Sequence, residues 1–243
     1  MNMKLKYNRV LNGLIVTMSC MLMVFGMILP VHAASTLGTV RIYSTLEDSH
    51  AFLLYTNNSG TTQTIGHYTV ASGSTISIGT WGSITQHKGI WYNVEMRSDI
   101  GVASNVSVAR SITSQTQLSN FNNAINRSDS WNLYTGNTCA YFAGYVWCQT
   151  FSEKVNVGMS PSLLASTIKK LSGYGSNVSF GSHPNSWTAY HTSSSITYCP
   201  NPTFSNGSSS LSRSGLIPMD SFTPEEHAYL EVQMKPYSNE YVD

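Results

Sequence analysis

Charged residues are scarce in this sequence. They make up 10% of its 243 residues, against roughly 25% in an average soluble protein. The formal net charge is only +1, and Lys and Arg form no run outside residues 4–9, so nucleic acid is not expected as a partner. No GxxxxGK[ST] or GxGxxG string is present, which argues against a nucleotide ligand. No group of His, Cys and Asp has the spacing of a zinc site, so neither a metal nor another cofactor is predicted.

Uncharged polar and apolar residues take the place of the missing charges. Hydrophobic residues account for 41% of the chain, which also contains 14 Tyr and 5 Trp, so it is not a disordered polyelectrolyte. Ser, Thr, Asn and Gly fill much of the remainder. This composition is typical of an extracytoplasmic, β-rich protein, and the length suffices for one sizeable domain.

The N-terminal segment has the pattern of a secretory signal peptide. Three basic residues and no acid precede an apolar run that ends at Leu29, and Val31-His32-Ala33 fits a small-residue cleavage site. We therefore predict cleavage after Ala33 and a secreted or cell-surface protein. The alternative is an uncleaved N-terminal membrane anchor, because the apolar run approaches the length of a membrane span. Without residues 1–33, ten Lys and Arg remain against twelve Asp and Glu, a formal net charge of −2.

Hydrophobic periodicity predicts one α+β domain over residues 34–199, with an antiparallel sheet packed on a few helices. Period-two and β-branched stretches come first, and helical patterns follow. Residues 200–243 form a Ser/Pro-rich tail in which Thr223-Pro224-Glu225-Glu226 could begin a short helix. The predicted strands are 39–43, 51–55, 64–70, 75–81, 89–96 and 105–109. The predicted helices are 114–127, 139–151 and one that begins at Ser160-Pro161 and ends before Gly173.

Three cysteines remain after cleavage, so at least one thiol is left without a partner in the same chain. Cys139 and Cys148 are nine residues apart, which on one helix is about 13 Å and exceeds the roughly 7 Å between Cα atoms that a disulfide tolerates. A bond from Cys199 to either of them remains open.

Cys139 is the candidate nucleophile. It follows Gly136-Asn137-Thr138, a turn and helix-cap sequence, so it lies in the first turn of a predicted helix. Unpaired N–H groups and the positive end of the helix dipole favour the thiolate there. The alternative is a buried structural cysteine, which is common.

His50 is the candidate general base. A cysteine nucleophile needs a base within hydrogen-bonding distance and a third group that orients the base. His50 lies where the acidic turn Glu47-Asp48-Ser49 enters an apolar strand. A histidine taken alone is more often an ordinary polar residue of the fold than a catalyst, and this is the alternative for each of them.

Two histidines compete for the third position. If the next hairpin turns about Ser59-Gly60, residue 50 pairs with 69 and residue 52 with 67, which makes His67 a diagonal neighbour of His50. A slip of one residue would move His67 to the other face. The competitor is His87. Together with Trp91 and Tyr92, which follow it in the chain, it could line a substrate cleft. The alternative for both aromatic side chains is packing within the core.

The strings SHAFLLYTN, which His50 opens, and NTCAYFAGYVW, which carries Cys139, resemble the circularly permuted papain-like (NlpC/P60-type) cysteine hydrolases. This group includes the lecithin–retinol acyltransferase-like and YiiX-like proteins. In it a His at a strand start precedes a Cys at a helix start within an Asn-Cys-x-x-Phe motif, matched here by Cys139 and Phe142. Thr138 stands where the family often has Asn, and the 17 residues between His50 and His67 need a longer hairpin loop.

The resemblance implies a permuted papain-like fold in which Cys139 is the nucleophile, His50 the base and His67 the residue that orients it. It also implies an amide or ester substrate, cleaved through a thioester. Export favours a cell-wall peptide, with an extracellular protein or lipid as alternatives, and we expect a monomer. The competing hypothesis is a non-catalytic secreted binding or surface-interaction module that uses the Tyr-, Trp- and Asn-rich strands.

Overall fold

The structure is a computed structural model. It describes residues 36–45, 50–82, 84, 89–97, 104–127, 131–132, 136–180, 187–192, 195–199 and 202–203. The predicted signal peptide, the helix expected near residue 223 and the candidate residue His87 lie outside these ranges. The described residues all belong to one unit, Thr36–Asp243.

The fold is α+β and is organised around a large antiparallel sheet, as the sequence predicts. Eight of the ten strands in the described residues form this sheet, and the other two form a separate hairpin. The strands are β1 (Gly38–Thr45), β2 (His50–Asn57), β3 (Gln63–Ile65), β4 (Tyr68–Val70), β5 (Thr75–Thr80), β6 (Ile90–Tyr92), β7 (Asn105–Ile112), β8 (Gly175–Ser176), β9 (Ala189–His191) and β10 (Ile196–Tyr198). The order in the large sheet is β10-β9-β6-β5-β2-β1-β7-β8, with β3 and β4 paired to each other.

Four helices are present in the described residues: α1 (Val94–Arg97), α2 (Gln115–Arg127), α3 (Cys139–Thr150) and α4 (Pro161–Ile168). The last three confirm the predicted helices within a few residues. In α2 the buried residues recur at helical spacing, and they are Leu118, Phe121, Ala124 and Ile125. Hydrophobic periodicity predicted this helix because helices that bury one face repeat their apolar residues every three to four positions.

The central strands are buried on both faces. Along β2, Ala51, Leu53 and Tyr55 belong to the main core, which also contains apolar residues of α2, α3 and α4. Phe52 and Leu54 belong to a second cluster with Tyr43 and Met96. This alternation follows from the period of two along a strand. The start of β2 is therefore enclosed, and a polar side chain there needs polar partners.

The predicted hairpin between β2 and the segment 64–70 is wrong. β2 pairs with β1 and β5 instead, and His50 lies opposite Thr45. The segment 64–70 is itself a small hairpin, β3 and β4, that turns at Gly66 with φ +59°. Glycine adopts this conformation at little cost, so the chain reverses there. The side chain of Asn57 fixes this excursion from the sheet, since its Nδ2 donates to the carbonyls of Thr61 (2.7 Å) and Val70 (2.9 Å).

The predicted strand 89–96 is shorter than expected. β6 ends at Tyr92, and Asn93 adopts φ +61° before the single turn of α1. Asparagine is one of the few residues with a side chain that tolerates this conformation. The turn matters for the site, because it carries Glu95 away from the strand.

The three cysteines in the described residues, Cys139, Cys148 and Cys199, are all free thiols, so neither of the disulfides left open by the sequence is formed. A search of the same residues finds no helix with the length and apolar character needed to cross a membrane.

Candidate functional site

Cys139 is the first residue of α3, as the sequence predicts. Thr138 caps the helix in an extended conformation, with φ −87° and ψ 173°, and its Oγ1 accepts a hydrogen bond of 3.3 Å from the backbone N–H of Tyr141. The same hydroxyl donates to the carbonyl of Met159 at 3.0 Å. The cap therefore fixes the helix start from two sides. The Cys139 side chain is almost enclosed, with the residue 8% exposed.

His50 is the first residue of β2, again as predicted, and it is 4% exposed. Its backbone N–H donates to Oγ1 of Thr45 at 3.1 Å, and the same hydroxyl donates to the His50 carbonyl at 3.0 Å. Thr45 is the partner of His50 in the β1–β2 register. These contacts hold the backbone at the strand start, so the imidazole projects from a fixed position.

The structure brings His50 and Cys139 into hydrogen-bonding contact. Burial alone would lower the pKa of His50, because it disfavours the charged ring. The hydrogen bonds from its ring to Cys139 and Glu95, and the negative charge on both groups, outweigh burial and raise the pKa to about 9. The protonated ring is therefore stabilised at neutral pH beside the sulfur. An imidazolium in that position favours the thiolate, which is the nucleophilic form of cysteine.

Glu95 supplies the third group of the site. Its Oε1 lies 2.9 Å from Nε2 of His50, and both side chains are buried. Because Glu95 occupies Nε2, Nδ1 is the ring nitrogen left to face the thiol of Cys139. The carboxylate therefore fixes both the orientation and the tautomer of the ring, as the orienting member of such a site must.

Two further side chains donate to the Glu95 carboxylate. Ser77 donates its hydroxyl to Oε2 at 2.7 Å, and Trp81 donates its indole N–H to Oε1 at 3.1 Å. The Trp81 ring also lies against the imidazole of His50, with 4.0 Å between ring centroids. Phe52 stacks on the same imidazole at 5.6 Å. Aromatic rings thus surround the ion pair, which strengthens it by excluding water.

The structure places His67 in a different polar cluster. Its backbone N–H donates to Oη of Tyr92 at 3.2 Å, and its ring lies edge-on to that of His191 at 4.6 Å. Nδ1 of His191 in turn lies 2.8 Å from Oη of Tyr92. The pairing that would have made His67 a neighbour of His50 is not formed, so the geometric reason for His67 as the orienting residue is lost.

The remaining predicted site residues are His87, Trp91 and Tyr92. His87 lies outside the described residues. Trp91 and Tyr92 have no exposed surface, so neither lines a cleft. Trp91 packs with Trp81, Ile84 and Val94. Both Trp91 and Tyr92 therefore match the alternative prediction, which was packing within the core.

Sequence reasoning missed Glu95, although a signal was present. It is one of twelve acidic residues in the whole chain, and it stands between the apolar residues Val94 and Met96, shortly after the apolar run Ile90-Trp91-Tyr92. An acid in such a setting is expected to be buried against a partner. The prediction of a histidine as the third group leaves this acid without a role.

The assembled site consists of a thiol at a helix start, an imidazole at a strand start and a buried carboxylate behind the imidazole. This arrangement can activate a cysteine for attack on a carbonyl and can return the proton to a leaving group. In the part of the chain that the structure describes, no group of three or more His, Cys, Asp or Glu side chains is placed to hold a metal ion. Comparison with protein-family models, with curated proteins and with solved structures finds no match to this chain, so any assignment of function rests on the site itself.

Proposed function

We propose that this chain is a secreted cysteine hydrolase with a permuted papain-like architecture, which cleaves an amide or ester bond through a thioester at Cys139. The observation that carries the proposal is the His50 ring, which contacts the Cys139 thiol on one side and the Glu95 carboxylate on the other. The strand histidine precedes the helix cysteine in the chain, as in the permuted family that the sequence resembles.

The first half of the reaction forms the thioester. Sγ of Cys139 attacks the carbonyl carbon of the substrate, and the carbonyl oxygen becomes an oxyanion. The backbone N–H of Cys139 lies in the first turn of α3, at the positive end of the helix dipole, and we propose that it binds the oxyanion. His50 then gives its proton to the leaving nitrogen or oxygen, the bond to that atom breaks, and the acyl group remains on Cys139.

The second half returns the thiol. A water molecule attacks the thioester carbonyl while His50 accepts one of its protons, and the bond from the carbonyl carbon to Sγ breaks. The acid product leaves, and the proton on His50 is shared again with the sulfur. Glu95 keeps the ring aligned in both halves, and it favours the positive charge that the ring carries at rest.

The substrate class follows from the predicted export rather than from the site. A secreted hydrolase of amide bonds meets the peptides of the cell wall, and we propose these as its substrates. The alternative is a binding module on the same fold. Two exposed aromatic residues favour a binding surface, since Trp187 is 59% and Tyr198 55% exposed. Such a surface fits a hydrolase that docks on a polymer as well as a module that only binds.

The test is capture of the acyl-enzyme. The purified protein is mixed at neutral pH with a small activated ester and, separately, with a digest of cell-wall peptides, and each thiol is examined by peptide mass spectrometry. We expect an acyl group on Cys139 that decays in water, and no acylation at this residue in His50→Ala. Cys148→Ser is the matched control and should acylate at Cys139 like the wild type. Equal acylation of Cys139 and Cys148 would leave the binding module as the better account.

A further inference from the structure

Glu95 lies against β5, and every second residue along this part of the chain faces its carboxylate. Side chains on a strand point to opposite faces in turn, so residues 77, 79 and 81 share one face. Ser77 and Gly79 belong to β5, and Trp81 follows it directly. The intervening residue Ile78 belongs to the main core on the other face.

Each of the three residues on this face contributes differently to the carboxylate. Ser77 donates to Oε2 and Trp81 to Oε1, while Nε2 of His50 lies 2.9 Å from Oε1. Gly79 contributes space, because a Cβ at this position would overlap Oε1 of Glu95. Any other residue at 79 would displace the carboxylate from the histidine.

The three donors also meet a physical requirement. Glu95 has no exposed surface, and a buried carboxylate is costly unless hydrogen bonds replace the water it loses. One bond to Oε2 and two to Oε1 supply this replacement, and they fix the plane of the carboxylate as well as its position.

We propose that Ser77, Gly79 and Trp81 form a carboxylate cradle that sets the position of Glu95, and that they are positioning residues of the reaction proposed above. The inference rests on that proposed function for its catalytic meaning, while its geometry concerns only the His50–Glu95 pair. The inference gives a role to Gly79, which has no side chain to react, and to the sequence pattern Ser-x-Gly-x-Trp that surrounds it.

The test compares cradle variants with matched variants of the same sheet. Gly79→Ala is paired with Gly38→Ala, since a Cβ at 38 would collide with the Tyr55 ring, and Gly38 lies at the other end of β1 from the partner of His50. Ser77→Ala is paired with Ser107→Ala, because Ser107 is also buried in the sheet and accepts a hydrogen bond from Arg41. Trp81→Phe keeps an aromatic ring at this position and removes the indole N–H together with part of the ring system.

Two readouts are measured on the full chain. The first is the pKa of the His50 imidazole from its NMR titration, and the second is the rate of Cys139 alkylation by iodoacetamide at pH 6. In the three cradle variants we expect the His50 pKa to fall toward 6.5 and the alkylation rate to drop at least about tenfold, the loss expected for one hydrogen bond to a charged group. Ser77→Thr, which keeps the hydroxyl, should retain most of the wild-type rate of Cys139 alkylation.

The outcomes separate the two proposals. If the cradle variants match Gly38→Ala and Ser107→Ala in both readouts while wild-type Cys139 is reactive, the cradle is refuted and the hydrolase proposal stands. If wild-type Cys139 is no more reactive than Cys148, the hydrolase proposal fails, and the His50 titration still decides whether the cradle positions Glu95.

Discussion

Two histidine clusters in the molecule differ in what surrounds them. His50 is enclosed with a thiol and a carboxylate, whereas His67 and His191 contact each other and the phenol of Tyr92. His50 begins β2 and His191 ends β9, whereas His67 lies in the turn between β3 and β4, and each cluster contains a buried ring. The two clusters differ in the groups that contact the ring. A buried carboxylate and a thiol contact the His50 ring, and together they favour its protonated form despite burial.

The largest expected effect separates the two clusters directly. His50→Ala should slow acylation of Cys139 by a small ester roughly 10²- to 10⁴-fold, since it removes the group that moves the proton. His67→Ala should leave that rate within about a factor of three, because its ring contacts His191 instead. Circular dichroism checks that both variants fold. A loss of acylation in His67→Ala equal to that in His50→Ala would overturn the distinction.

The next effect concerns the acid that distinguishes the clusters. Glu95→Gln keeps an oxygen near Nε2 but removes the charge, so we expect acylation to fall about 10- to 100-fold, the range for a hydrogen bond to a charged group. Glu95→Ala should lose more and should also melt earlier, because it leaves a buried imidazole without its partner. An unchanged rate in Glu95→Gln, measured beside the wild type, would show that the ring is oriented by another group.

A pH dependence of stability should accompany the His50 cluster. Its pKa is about 9 in the folded chain against an ordinary value of 6.5, so the protonated ring stabilises the folded state. This stabilisation is fully present below pH 6.5 and is lost as pH rises through 9. The shift corresponds to about 3 kcal/mol. Urea unfolding from pH 6 to 10 should show the advantage of wild type over His50→Gln shrinking across that window, and a constant difference would contradict the raised pKa.

The smallest effect on Cys139 reactivity is expected from a substitution in the cluster of His67, His191 and Tyr92. Tyr92→Phe removes the oxygen that meets both His191 and the backbone of His67, so it should lower the free energy of unfolding by about 1–3 kcal/mol. Cys139 alkylation should not change. Denaturant unfolding and alkylation measured on the same sample test both statements, and slower alkylation would mean that the two clusters are coupled.

Local signals predicted most of the helices and strands and the positions of Cys139 and His50 at their starts. The helix start at Cys139 follows from its turn and cap residues, and the strand start at His50 follows from the apolar run after an acidic turn. Both are properties of neighbouring residues, which a single sequence contains. The α+β class followed in the same way, from the change of hydrophobic period along the chain.

Glu95, which lies behind the His50 ring, could not be found by the same reasoning. It depends on which strands pair, and the apolar pattern alone allowed a hairpin that the glycine turn at Gly66 and the return of β5 rule out. The single turn after Asn93 then carries Glu95 out of the predicted strand. Strand pairing and left-handed residues are set by the whole fold, so an acid 45 residues from His50 could be suspected from its apolar setting but not assigned.

The most direct test of the account is the pH dependence of Cys139 alkylation by iodoacetamide in wild type, His50→Ala and Glu95→Gln. Because Glu95→Gln preserves the size of the side chain, its difference from wild type reports the thiolate that the His50–Glu95 pair supports and not a change in access of the reagent. We predict rapid alkylation of wild-type Cys139 already at pH 6, a loss of at least about 100-fold in His50→Ala and an intermediate rate in Glu95→Gln. Identical pH profiles in the three proteins, with Cys139 no more reactive at pH 6 than Cys148, would contradict the assignment of Cys139, His50 and Glu95 as one working site.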